Sequence, residues 1–152
     1  MAGMDRPVIL LRDRREAEIA LRAAAATGRP VALLSVPDAA LNAGIGWFDA
    51  VMRFARAAAP GADAIGLIDC ADRPDLVQAA FHQGIEGAVF HGRKTVFDKL
   101  ADIAAQSGRL LLRRRPPALA LPERFPGSLA GAKISAETVD AADLAWLRGQ
   151  LK

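Results

Sequence analysis

Two groups of ionisable residues in this chain have the spacing to do chemistry. Asp13, Asp69 and Asp72 each follow a short apolar run, and so do His91, Arg93, Lys94 and Arg113. Three carboxylates brought to one edge would offer a Mg²⁺ ion oxygen ligands and water. Three cations beside a histidine would offer a phosphate or carboxylate charge-assisted hydrogen bonds, with imidazole able to carry a proton near neutral pH. Each group also has a plainer role. Asp13 and Asp72 stand where helix N-caps are expected, and the cations stand where a strand exit meets solvent. Asp69 has no cap to form. The single cysteine, Cys70, sits between Asp69 and Asp72, which oppose thiolate formation, so it reads as a structural thiol.

The elements that must position these residues alternate strictly. Apolar runs at Val8–Leu11, Val31–Ser35, Ala64–Ile68, Gly87–Phe90 and Leu110–Leu112 are each followed by a helical pattern, except that the last is followed by a long irregular stretch. Strands separated by helices imply a parallel sheet, because a parallel pair requires a crossover. Helices are expected from about Arg14 to Thr27, from near Gly46 to the Pro60-Gly61 stop, from Pro74 to Gly84, from Thr95 to Gly108, and from about Thr138 to Leu151. In the second of these, Trp47, Val51, Phe54, Ala55 and Ala58 form the apolar stripe. Thr95 and Asp98 have capping spacing, as do Asp13 and Glu16.

The reading is a single α/β domain over residues 1–152. Its fold class is a flavodoxin-like three-layer sandwich, five parallel strands ordered 2-1-3-4-5 with helices on both faces. Strands one and three are then neighbours, and Asp13, Asp69 and Asp72 flank the switch-point crevice where such sheets bind ligands. His91, Arg93, Lys94 and Arg113 leave adjacent strands four and five and form an anion-binding edge. Ile9, Leu33, Ile65, Leu67, Val89 and Leu111 are expected in the core, since a strand covered on both faces is apolar throughout. Residues 116–135 hold four prolines and two glycines and form an irregular segment before the last helix, with Ala118–Leu121 and Ala132–Ile134 as brief extended pieces.

The layout resembles that of response-regulator receiver domains, which share the alternating topology and an aspartate after the third strand, here Asp69. The resemblance implies phosphoryl transfer to that aspartate. Receiver domains carry an acidic pair after strand one, where this chain has Arg12-Asp13. They carry Ser or Thr after strand four, where it has His91, and Lys-Pro after strand five, where it has Arg115-Pro116. The likeness covers isolated positions of a common architecture.

Composition narrows the classes. Twenty basic residues against seventeen acidic ones give a net charge of +3, and aromatics are 5% with no tyrosine, a poor stacking surface for nucleic acid. No apolar stretch approaches the roughly 20 residues that cross a bilayer. The amino-terminal residues lack a signal peptide's apolar core, and one cysteine fits a reducing compartment, so a cytoplasmic location is expected. With two histidines and one cysteine no structural zinc site is expected. Gly44-Ile-Gly46 starts too far past its strand for a dinucleotide fingerprint. No motif names a cofactor or a reaction. The expectation is a non-catalytic binding or interaction module, with a protein partner or a small anionic ligand. The alternative is a small enzyme or sensor for a phosphorylated or carboxylated metabolite at the carboxyl edge of the sheet.

Overall fold

A computed structural model of the chain describes residues 4–122 and 136–152. The expected strands form: β1 Val8–Leu11, β2 Val31–Ser35, β3 Ala64–Asp69, β4 Gly87–Val89 and β5 Leu110–Leu112. They make one sheet, parallel throughout. Its order is β1-β2-β3-β4-β5, not 2-1-3-4-5. The expected order fails because strand sequence encodes apolarity and direction but not the side to which each crossover returns.

Around these strands lie α1 Arg14–Thr27, α2 Ala39–Asn42, α3 Ile45–Ala58, α4 Pro74–Gln83, α5 Lys94–Ser107 and α6 Ala136–Gln150. Consecutive strands joined by right-handed crossovers put their helices on the same side of the sheet. The core shows that division. Ile9, Leu11, Leu33, Ile68, Ala88 and Phe90 pack with buried residues from all six helices. Alternate strand positions Val8, Ala32, Leu34, Leu67 and Val89 form a second cluster. Met4, Ile65, Leu110 and Leu112 join that cluster, and no helix residue does among the described residues. Helices on both faces are therefore a second correction. Each strand lies beside the next in sequence, without the reversal of order that marks a doubly wound sheet.

Helix neighbours follow the same progression, α1 packing on α3 and α6, α3 on α4, and α4 on α5. Past β5 the chain returns to the opposite edge. Leu119 pairs in parallel with Ile9, its N–H donating to the Val8 carbonyl and its carbonyl accepting from Leu10 N–H. The extended piece expected at Ala118–Leu121 thus extends the sheet beside β1. The piece expected at Ala132–Ile134 lies outside the described residues.

Local signals account for most helix ends. The Asp13 carboxylate accepts the Glu16 N–H at 2.9 Å, the expected cap of α1, and Gly28 ends that helix at φ 66°. Gly84 and Gly108 close α4 and α5 in the same left-handed conformation. Two caps differ from expectation. Arg73 rather than Asp72 precedes α4, and Arg93 precedes α5, so Thr95 falls inside the first turn, and neither helix has a side-chain cap. Helix α2 forms within what reads as a plain connection.

Helix α3 is rotated from its expected stripe. It buries Phe48, Val51, Met52 and Ala55, while Phe54 is exposed beneath the Arg14 guanidinium, 4.3 Å from the ring centre. The rotation has a cause in β3: Phe48 lies against Gly66, where any Cβ would come within 2.7 Å of its ring. Ile9, Leu33, Leu67 and Val89 are buried as expected, whereas Ile65 and Leu111 are only partly so.

Candidate functional site

The carboxyl ends of parallel strands are where this kind of sheet presents ligands and catalytic groups. Here β3 ends on Asp69, a fully buried carboxylate. An isolated ionised carboxylate there would cost several kcal/mol, so it demands partners. Its Oδ1 accepts the Ala71 N–H at 2.9 Å. Its Oδ2 accepts from Arg115 Nη1 at 2.9 Å and lies 3.4 Å from His91 Nε2. The Asp38 backbone amide also favours the ionised form. Burial pushes the Asp69 pKa up, but Arg115, the Ala71 and Asp38 amides and His91 together outweigh it and hold the carboxyl below its ordinary range.

The same contacts bind three parts of the chain. Arg115 donates through Nη2 to the Ser35 carbonyl at 2.9 Å, and the Asp69 N–H donates to Ser35 Oγ at 2.9 Å. The ends of β2 and β3 and the segment after β5 are thereby clasped over one carboxylate. Two described non-glycine residues have positive φ, Asp38 at 58° and Ala71 at 53°. Ala71 donates its backbone N–H to Asp69, and the Asp38 amide favours the same charge. Such conformations cost roughly 1–3 kcal/mol each and persist where surrounding contacts impose them.

The other singled-out residues fall as follows. Asp13 caps α1 and is separated from the end of β3 by β2, so β1 and β3 enclose no switch-point crevice. With it goes the topological part of the likeness to receiver domains. Asp72 is exposed in the turn after β3. No group of three or more His, Cys, Asp or Glu among the described residues is arranged to hold a metal ion. Lys94 pairs with Asp98 at 2.8 Å, and the Arg113 guanidinium lies 5.5 Å from the centre of the Phe97 ring. His91 contacts Asp69, and its backbone N–H donates to the Ala71 carbonyl at 2.8 Å. Arg93 is exposed just before α5.

His91, Arg93 and Asp72 line one open pocket of about 480 Å³ between the turn that starts α4 and the turn that starts α5. Pro74, Phe90 and Val96 supply its apolar surface. The uncapped amino ends of α4 and α5 both border it, so partial positive charge from two helices adds to Arg93. Arg73, adjacent in sequence, is occupied by Asp75 through bonds of 3.0 and 2.7 Å.

Arg115 stands outside the expected anion-binding set, in which Arg113 represents the run Arg113 to Arg115, and no contact between Arg115 and Asp69 is expected from the sequence. A signal existed: an aspartate with no cap to form, ending an apolar strand, requires a cation. Which of the three arginines turns inward is not written in the run itself.

Cys70 is buried, and burial, with Asp69 and Asp75 nearby, pushes its thiol up to about 12. It is expected to resist iodoacetamide at mildly alkaline pH in the native protein and to react once the chain is unfolded in urea. Rapid native alkylation, read by mass spectrometry, would contradict that placement.

No model of a known protein family matches the chain, and no curated protein matches it in sequence.

Proposed function

We propose that this protein is a non-catalytic binding module whose pocket, between the starts of α4 and α5, takes a small phosphorylated or carboxylated ligand. The observation that carries the reading is the state of Asp69. Both of its oxygens accept hydrogen bonds, and its pKa is held below the ordinary carboxylate range. A general base needs an accessible lone pair and a pKa near the working pH. Asp69 has neither, and its role is to hold Arg115 and the loop amides. Arg93 and two uncapped helix ends remain to attract an anion at the adjoining pocket.

One observation favours a second reading, that of a small enzyme or sensor. His91 touches the Asp69 carboxylate on one side and borders the pocket on the other, with about 40% of its side chain exposed. A histidine oriented by a carboxylate beside a ligand pocket has the geometry of a proton carrier.

Thermal unfolding against phosphate, simple carboxylates and phosphorylated metabolites, at matched ionic strength, tests the proposal. A ligand at a hundredfold excess over its Kd should stabilise the native protein by about 2.7 kcal/mol. Arg93→Gln should remove most of that gain without lowering the melting temperature of the unliganded protein. No differential shift across the panel would refute the anion site. Chemical change of a bound ligand on incubation, lost in His91→Asn, would replace the binding module with the enzyme reading.

A further inference from the structure

We infer that the pocket at the start of α5 selects a small zwitterion, an amino acid with an apolar side chain, rather than a simple anion. The inference rests on the anion-binding reading above and adds a ligand class to it. Its basis is the pairing of unlike charges on one pocket. Arg93, beside the uncapped first turn of α5, is a site for a carboxylate. Asp72, on the segment that leads into α4, borders the same pocket and is exposed, its charge also acting on the neighbouring Arg73.

A phosphate dianion would set two negative charges against the Asp72 carboxylate. A molecule with a carboxylate at one end and an ammonium at the other satisfies Arg93 and Asp72 together, and like-charge opposition becomes attraction. Formal charges of +1 on Arg93 and −1 on Asp72 match a ligand of zero net charge.

The same pocket has an apolar lining from the part-exposed Pro74 and Val96, with Phe90 beneath. Phe90 is almost fully buried. Gly92 packs directly on the Phe90 ring: a Cβ there would lie 2.2 Å from it, although the φ of Gly92 is not positive. Glycine is required at this position by space rather than by backbone conformation. An apolar side chain on the ligand has a surface to rest on.

Leucine and 4-methylpentanoate share one skeleton and differ by the amino group, so they separate this inference from the reading beneath it. Titrations of the full chain followed by amide NMR should show both ligands shifting resonances from Gly92 to Val96. Leucine should bind about fivefold more tightly, the scale of a favourable exposed ion pair. Asp72→Asn should abolish that preference and leave 4-methylpentanoate binding as well as before or better. Equal affinity of the two ligands for the wild type would overturn the zwitterion inference and leave the anion site standing. A preference that survives Asp72→Asn would overturn it too. If neither ligand nor inorganic phosphate shifts these resonances, the anion site and the inference fall together.

Discussion

Replacing Arg115 with methionine is expected to lower folding stability by about 3–5 kcal/mol, the scale of breaking a buried ion pair by removing one member. The change strands the Asp69 carboxylate, which is fully buried, and releases the Ser35 carbonyl from its partner. Methionine keeps most of the arginine stem's apolar contact, so the loss reports the charge and its hydrogen bonds more than packing. The effect should also depend on pH. In the wild type the Asp69 pKa lies below its ordinary value of 3.8, so its stabilising contribution is present above that value and lost as pH falls through the folded one. Without Arg115, burial acts with less opposition and the folded pKa rises. The gap between the two proteins should therefore be widest at neutral pH and narrow as pH falls through the folded pKa of the wild type, below which Asp69 is protonated in both. Urea unfolding across that range measures it. A gap that stayed constant would mean that Arg115 acts through packing and not through the carboxylate.

Leu67→Ala is expected to cost about 2–5 kcal/mol, from lost transfer energy and the cavity left behind. Leu67 is fully buried on the face of the sheet that no described helix packs against, together with Leu34 and Val89. On a sheet with one solvated face the same change would cost little, so the measurement tests whether that face is a true core. Ile65 points to the same face two residues earlier but is only partly buried, and Ile65→Ala should cost clearly less. Equal losses at the two positions, compared by urea midpoints at unchanged m-value, would contradict the burial gradient along β3.

Local sequence determined the elements of this protein. The five apolar runs became the five strands, Asp13 capped α1, and Gly28, Gly84 and Gly108 ended their helices in the left-handed conformation that glycine adopts without a Cβ penalty. Those properties are set by residues within a turn or two of one another, so a linear reading reaches them. Asp69 also stood out, because a carboxylate that closes an apolar strand and has no cap to form is conspicuous in the chain itself.

Tertiary structure decided everything that depends on which distant segments meet. The strand order turned on the direction of each crossover, and that direction left β2 between Asp13 and Asp69 and put the helices on one face. The rotation of α3 turned on Phe48 finding the space above Gly66, a contact between residues eighteen positions apart. Arg115 was chosen from three consecutive arginines because only its guanidinium reaches both Asp69 and the Ser35 carbonyl. A side chain's type fixes what it can bond to. Its partner is fixed by whichever complementary group the packed chain carries to within about 3 Å, and burial makes that choice strict, because a buried charge left without a partner is the costliest arrangement available to the fold.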